Sequence, residues 1–187
     1  MSQSALERTV SRVARALRAY YRIEDQLDIQ EFVEEGEPGS RETLLLRQHE
    51  EALELRLLLP PVEHEAAPDI DHFLQVVEGV SHFLLVVERA RVDLPTTHLE
   101  LELQAEVDKF VVLSQDGAHA RHLHRRLYEG VRFIHTESSE AGARYRLANA
   151  LAARFVHRLL AHAPLERERR LRHFYRVGQA EKIRLAS

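Results

Sequence analysis

Residues 98–113 read HLELELQAEVDKFVVL, and a helix would place two of the three glutamates in this segment among the leucines of a buried face. Leucine and glutamate alternate at the start of the segment, as they would in a half-buried strand, but most of its residues favour a helix. Thr97 and Glu100 have the spacing of a capping box, and Pro95 suits the turn that precedes a helix. We therefore predict a helix over residues 97–114.

Helical periodicity assigns the apolar residues of this helix to one buried face, formed by Leu99, Leu103, Phe110 and Leu113. Glu102 and Glu106, one turn apart, fall within that face. The remaining polar residues fall towards the opposite side: Glu100, Gln104 and Asp108. A buried carboxylate is costly unless it is paired or bound to a metal ion, so Glu102 and Glu106 need a partner.

The preceding segment, residues 69–91, is apolar over most of its circumference and is predicted to be the central buried helix. Its polar residues on or beside the buried arc are Glu78, Ser81, His82 and Glu88. Glu78 and His82 are four residues apart and can therefore meet on one face of the helix. If the two helices lie side by side and antiparallel, these residues join Glu102 and Glu106 in a buried polar cluster or ligand groove.

Three interpretations of this cluster are open. In the first, which we favour, the acids pair with arginines, and Glu102 and Glu106 are each held by an arginine of residues 118–187. The candidate partners are Arg121, Arg125, Arg126, Arg144, Arg146 and Arg154. The second is a metal-dependent enzyme of the helical-bundle type, but the Glu-x-x-His pair common in such sites is missing, so we assign no metal ligand. The third is a polar groove for a small ligand or a peptide.

The charged residues are divided unevenly along the chain. Residues 1–117 contain 11 Lys/Arg and 24 Asp/Glu, whereas residues 118–187 contain 15 Lys/Arg and 6 Asp/Glu together with seven of the twelve histidines. Such an asymmetry can mark a nucleic-acid surface, or the two parts can fold together and neutralise each other. We favour neutralisation, because nothing between the two parts has the composition of a linker.

Residues 4–22 have the pattern of an amphipathic helix, with Leu6, Val10, Val13 and Leu17 on its apolar face. The opposite face carries five arginines: Arg8, Arg12, Arg15, Arg18 and Arg22. An arginine face is often no more than a solvated surface, but it can also bind phosphate or an acidic partner. Arg8, Arg12 and Arg15 are therefore candidate partner-binding residues.

The C-terminal third has two segments that mix arginine with aromatic residues. The first contains Arg121, Arg125, Arg126 and Tyr128, and the second contains Arg169, Arg170, Arg172, Phe174, Tyr175 and Arg176. This mixture suits single-stranded nucleic acid, whose bases stack on aromatic rings while its phosphates meet arginines. His119, His122 and His124 lack the spacing of a metal site, because His122 and His124 cannot share a helical face.

Strands are predicted between the first helix and the central one. Residues 27–36 are predicted as a strand, and residues 42–61 as an antiparallel hairpin with alternating leucines and a turn near residues 49–51. Such a small sheet needs a cover on its apolar face, and the N-terminal helix is the expected cover. Residues 62–69, VEHEAAPD, look like a connector.

The rest of the chain is predicted to be helical. One helix covers residues 118–130, and a longer one opens at Ser138 or Ser139. The predicted buried face of the longer helix contains Leu147, Leu151, Phe155 and Leu159. Pro164 then suits the start of the first of two short final helices.

Composition narrows the class of protein. The 187 residues include no cysteine, which excludes disulfides, thiolate metal sites and cysteine nucleophiles and favours a reducing compartment. Arginine supplies 24 of the 26 cations, which we interpret as the codon bias of a GC-rich bacterial genome. The arginine-rich N-terminus does not look like a secretory signal, and no apolar run approaches the roughly 18 residues of a membrane span. Catalytic and phosphate-binding motifs are also missing.

We therefore expect a single α+β domain over residues 1–187. Residues 1–61 form a helix and a small antiparallel sheet, which pack on a helical bundle of about five helices over residues 69–187. The expected function is that of a non-enzymatic, cytoplasmic adaptor or accessory protein that binds a protein partner through charged helical faces and needs no cofactor. The alternatives are nucleic-acid binding through the arginine-rich C-terminal third and a metal-dependent helical-bundle enzyme. The sequence leaves the oligomeric state open.

Overall fold

The computed structural model describes residues 4–25, 27–49, 52–61, 69–115 and 120–187. Contacts within the chain divide it into two compact units, Met1–Glu88 and Arg89–Ser187. The described residues are mainly helical, and one small sheet lies in the first unit. The α+β class predicted from the sequence is thus confirmed, while the expectation of a single domain stays a prediction.

The first helix, α1, covers Ala5–Tyr21, as the amphipathic pattern predicted. Ser4 caps it: the Ser4 side chain accepts from the backbone N–H of Glu7, and the Glu7 side chain accepts from the backbone N–H of Ser4. Its apolar face is buried throughout, at Leu6, Val10, Val13, Ala14, Leu17 and Tyr21. The helix ends where Arg22 adopts a left-handed conformation with a φ of 56° and its N–H bonds back to Arg18.

The sheet contains three strands in the order β1-β3-β2, where β1 is Val33–Glu35, β2 is Thr43–His49 and β3 is Ala52–Leu59. Strands β2 and β3 form the predicted antiparallel hairpin, in which the leucines pair face to face, Leu44 with Leu57 and Leu46 with Leu55. Residues 50 and 51 of the hairpin turn and residues 62–68 of the predicted connector lie outside the described residues.

Two predictions about the sheet were wrong. Residues 29–32 form a 3-10 helix rather than a strand, because the Asp28 side chain accepts from the backbone N–H of Gln30 and caps the turn. Only the three residues of β1 are extended, and β1 pairs in parallel with β3, so the sheet is mixed rather than antiparallel.

Helix α2, Ile70–Ala90, follows the sheet in the chain and matches the predicted central helix. Gly79 lies against β3 so closely that a Cβ atom there would be 2.9 Å from methyl groups of Leu57 and Leu59. Phe83 adds a contact with the ring of Phe32, at 5.1 Å between ring centres. Helix α2 therefore covers this face of the sheet, a role that the sequence assigned to α1.

The length and composition of α2 would also allow a membrane span, contrary to the prediction that no apolar run is long enough for one. However, 78% of its most apolar 18-residue window is buried within the structure. This burial is what the core helix of a soluble protein shows, because its apolar surface is covered by protein rather than by lipid.

The second unit contains five described helices: α3 (His98–Gln115), α4 (Ala120–Tyr128), α5 (Glu140–Leu159), α6 (Pro164–Arg176) and α7 (Gln179–Ala186). The predicted caps are present, since Thr97 accepts from the N–H of Glu100 at 3.1 Å and Ser139 accepts from Gly142 at 3.0 Å. Helix α3 packs on α4, α5 and α7 and is buried over nearly its whole circumference.

Helix α5 departs from prediction at one residue of its buried face. Leu151, Phe155 and Leu159 are buried as expected, but Leu147 is 46% exposed and Ala148 is buried instead. At this end of α5 the buried face is therefore shifted by one residue, from Leu147 to the smaller side chain of Ala148. The ring of Phe155 stacks on that of Phe174, with 4.1 Å between ring centres, and ties α5 to α6.

Candidate functional site

The polar residues of α3 are more deeply buried than the sequence indicated. Glu102 is buried and Glu106 is partly buried, in line with the prediction. Glu100, Gln104 and Asp108, which were predicted on the opposite side, are also buried, with at most 1% of their surface exposed. That prediction was wrong because α3 contacts α4, α5 and α7 and is buried over nearly its whole circumference.

Glu100 forms a buried ion pair with Arg89. Nη2 of Arg89 donates to Oε1 of Glu100 at 2.8 Å, and both side chains are almost fully shielded from solvent. The same guanidinium donates to the backbone carbonyls of Arg176, at 3.0 Å, and Val177, at 2.6 Å. Arg89 therefore neutralises a carboxylate of α3 and also satisfies carbonyl groups at the C-terminal end of α6.

Lys182 of α7 is completely buried beside this pair. Its ammonium donates to Oε1 of Gln104 at 2.5 Å and to the backbone carbonyl of Tyr175 at 3.3 Å. Gln104 in turn donates to Oδ1 of Asp108 at 2.8 Å. Burial lowers the pKa of Lys182 to about 7, although the nearby carboxylate of Glu100 acts in the opposite direction. At neutral pH a substantial share of the molecules therefore carries an uncharged amine here.

A second polar group surrounds Glu106. Its carboxylate accepts from Nζ of Lys109 at 2.7 Å and from Nδ2 of Asn149 at 3.1 Å. Its backbone carbonyl accepts from the hydroxyl of Tyr128 at 2.8 Å. Burial raises the pKa of Tyr128 well above its usual value, and the charges of Glu106 and Asp108 add to this effect.

The ion-pair interpretation therefore applies differently to the two glutamates. Arg144 lies 4.0 Å from Glu102, so an arginine of residues 118–187 does approach this acid. Glu106 is held by Lys109, one turn along the same helix, and by the neutral Asn149, so the expected arginine partner was wrong there. A spacing of three residues brings the side chains of Glu106 and Lys109 together on α3, so this carboxylate is paired within its own helix.

Replacing Glu106 with alanine is expected to lower the free energy of unfolding by about 2 kcal/mol, between the values for exposed and fully buried pairs. The ammonium of Lys109 and the amide of Asn149 would each lose the carboxylate of Glu106 as an acceptor in a mostly shielded place. Urea unfolding followed by circular dichroism measures this change. The double variant Glu106→Ala/Lys109→Met should recover part of the loss, and a double variant less stable than Glu106→Ala would contradict the pairing.

The polar residues predicted on the buried arc of α2 lie there in the structure. Glu78, Ser81 and His82 are buried, and Glu88 is partly buried. A carboxylate oxygen of Glu78 and a ring nitrogen of His82 lie within 4.8 Å of each other, as their spacing predicted. That these four residues form one site with Glu102 and Glu106 stays a prediction.

Sequence reasoning missed Arg89, Gln104, Asp108 and Lys182 as members of the buried network. A signal for the lysine was available, because the chain uses arginine for nearly every cation. Its two lysines, Lys109 and Lys182, both lie in the core of the second unit. A lysine can lose its proton when buried and an arginine cannot, so a lysine in such a chain marks a position where a permanent charge would be costly.

The predicted partner-binding arginines lie at the surface. Arg8, Arg12 and Arg15 are exposed on α1, and the guanidinium of Arg12 also lies 5.3 Å above the ring of Phe73. Arg18 differs from them, because Asp25 accepts two hydrogen bonds from it, at 2.9 and 3.0 Å, and anchors the loop after α1.

The arginines of α4 are exposed as well, at Arg121, Arg125 and Arg126, while Leu123, Leu127 and Tyr128 face the core. Of the histidines in this region, His122 is exposed and a ring nitrogen of His124 lies 3.0 Å from the carbonyl of Ala153. His119 lies outside the described residues. The helix thus presents a basic surface, and the engagement of His124 with a carbonyl gives no support to a histidine metal site.

Comparison with known proteins identifies no relative. No protein-family model, no curated protein and no solved structure matches this chain.

Proposed function

We propose that this protein is a non-enzymatic adaptor or accessory protein of the bacterial cytoplasm that binds an acidic segment of a partner protein through α1. The observation that carries the proposal is the row of exposed guanidinium groups formed by Arg8, Arg12 and Arg15 on a helix whose apolar face is fully buried. The cytoplasmic and bacterial setting rests on the sequence, which has no cysteine and strongly prefers arginine to lysine.

A groove of about 580 Å³ lies beside Arg15, at one end of this row. Arg15 and Arg22 line it with exposed guanidinium groups, Glu24 and Asp28 line it with carboxylates, and the charge of Arg18 is matched by Asp25, so the attraction for an acidic occupant comes from the adjoining arginine row. Small and apolar side chains also line the groove, at Ala14, Ala19, Ile23 and Ile29. A short segment that combines carboxylates with small apolar side chains complements this surface, since the carboxylates meet the guanidinium forks.

The test uses a fluorescent peptide of alternating glutamate and alanine, titrated at low ionic strength. The double variant Arg12→Glu/Arg15→Glu is expected to bind it at least tenfold more weakly, because two attractive charges become repulsive. Folding should be nearly intact, since among the described residues the variant loses the contact of Arg12 with Phe73, which contributes about 0.5–1 kcal/mol. Fluorescence anisotropy gives the affinity, and circular dichroism reports the folding.

The control is Arg47→Glu, which reverses an exposed arginine on β2 of the same unit and should leave the affinity unchanged. An equal loss in this control would overturn the proposal, because the binding would then depend on net charge alone. Tighter binding of an oligonucleotide of equal charge would also overturn it. The exposed arginines of α4, Arg121, Arg125 and Arg126, would then be the candidate phosphate contacts.

A further inference from the structure

A second basic pocket lies in the second unit, where α5, α6 and α7 meet. Its volume is about 420 Å³, which falls within the roughly 300–1,000 Å³ of pockets that hold small molecules. None of the described residues that line the pocket belongs to α1, so the proposal below does not rest on the function proposed above.

Helix α6 supplies one wall of the pocket. Glu166, Arg169, Arg170 and His173 follow the spacing that places side chains on one helical face, and all four line the pocket. Oε1 of Glu166 accepts from Nε of Arg170 at 2.8 Å, and its second oxygen lies 3.9 Å from Arg169. One carboxylate thus orients two neighbouring guanidinium groups and balances the charge of only one of them.

The other walls add positive charge and an apolar floor. Arg158 of α5 donates to the backbone carbonyls of Leu185 and Ser187, which fixes its guanidinium at the pocket. His162 lies beside it. Phe155 and Leu159 are buried and form the floor, where the stacking of Phe155 on Phe174 holds its ring in place.

The charged rim and the apolar floor of the pocket together indicate which class of ligand it binds. Among the described residues that line the pocket, three arginines face a single carboxylate, so the rim carries an excess of positive charge. Planar guanidinium groups donate in pairs to phosphate oxygens, and the two positive charges that remain when one carboxylate is set against three arginines match the double charge of a phosphate monoester. The apolar floor requires in addition that the phosphate be attached to a body that can leave water.

We propose that this pocket binds a small organic phosphate. The phosphate group lies on the rim against Arg169 and Arg170, and the apolar or aromatic body lies on the floor formed by Phe155 and Leu159. The pocket volume suits one nucleotide-sized molecule rather than a nucleic-acid strand, which would need a continuous groove.

Calorimetric titration with three probes tests this proposal. Adenosine 5′-monophosphate carries both the phosphate and an aromatic body, adenosine lacks the phosphate, and inorganic phosphate lacks the body. The monophosphate is expected to bind at least tenfold more tightly than either of the others. The variant Arg169→Gln should weaken its binding at least tenfold, because a charged hydrogen-bond donor to the phosphate is lost.

Arg184→Gln is the matched control. Arg184 pairs with Glu181 three residues before it, as Arg169 does with Glu166, and the two arginine side chains are similarly exposed, at 70% and 76%. Arg184 does not line the pocket, so its variant should bind the monophosphate like the unmodified protein. An equal loss in both variants would overturn the proposal, and so would inorganic phosphate that binds as tightly as the monophosphate. Preference for a single-stranded oligonucleotide over the monophosphate would overturn it in favour of a strand-binding surface.

Discussion

Replacing Glu100 with alanine is expected to lower the free energy of unfolding by about 3–5 kcal/mol, the usual cost of removing one partner from a buried ion pair. Only 2% of the Glu100 side chain and 7% of the Arg89 side chain are exposed, so water cannot take over the role of the carboxylate. Arg89 would keep its contacts with the carbonyls of Arg176 and Val177, but these groups are neutral. Its positive charge would be left in the core without a counter-charge.

Urea unfolding at neutral pH measures this loss of stability, and two further variants serve as comparisons. The double variant Arg89→Met/Glu100→Leu removes both charges and should be more stable than Glu100→Ala, although the two carbonyls then lose their donor at a cost of about 1–3 kcal/mol. Glu54→Ala removes an acid from an exposed pair with Arg47 and should have little effect. If Glu100→Ala proved no more costly than Glu54→Ala, the pair of Arg89 and Glu100 would have to be hydrated.

This buried pair shows where sequence reasoning reached its limit. The helix α3 could be predicted, because Thr97 and the preference of its residues for helix are local properties of the chain. The environment of Glu100 could not, because periodicity assumes one buried face and one exposed face. A helix that contacts α4, α5 and α7 has neighbours on several sides, and the sequence of α3 alone does not reveal them.

The sheet shows the same division between local and non-local information. Alternating leucines predicted the hairpin of β2 and β3, since its pairing partners are neighbours along the chain. The parallel pairing of Val33 with Leu57 joins residues far apart in sequence, and no local pattern indicates it. The cap that Asp28 provides for the 3-10 helix is a local feature, so that error could have been avoided.

The predicted surface residues were easier to place. Arginines on the polar face of an amphipathic helix remain exposed whenever the apolar face is buried, and Arg8, Arg12 and Arg15 follow this rule. The pocket above Phe155 was not predicted as a site, although the mixture of arginine and aromatic residues in α6 was a predicted feature of the C-terminal third. Its floor and rim come from three helices, and only the fold brings them together.

Lys182 is expected to make the protein more stable as the pH rises from about 7 to about 10. Its pKa is about 7 in the folded protein and 10.5 in an unperturbed lysine. Between these values the unfolded chain binds a proton on Lys182 that the folded protein lacks. Raising the pH therefore destabilises the unfolded state relative to the folded state, and the free energy of unfolding increases. Each pH unit should add about 1.4 kcal/mol, which amounts to about 4 kcal/mol over three units.

The effect of Lys182 on stability is confined to this pH range. Below pH 7 both states carry the proton on Lys182, so the contribution of this residue to the slope disappears. Above pH 10 the raised pKa of Tyr128 acts in the opposite direction, because the unfolded chain loses the tyrosine proton while the folded protein keeps it. Urea unfolding at intervals between pH 7 and pH 10 therefore covers the range in which the effect of Lys182 is expected.

The variant Lys182→Met separates this effect from other alkaline titrations. Methionine fills a similar volume without a titratable group, so the pH slope assigned to Lys182 should vanish in the variant. The absolute stability at one pH is a poor criterion, since Gln104 and the carbonyl of Tyr175 lose a donor while the burial of a charge is avoided. The difference in slope between the two proteins is the quantity to compare. Equal slopes would mean that Gln104, Glu100 and Asp108 hold Lys182 in its charged form despite its burial, and that an ammonium ion is stable in this core.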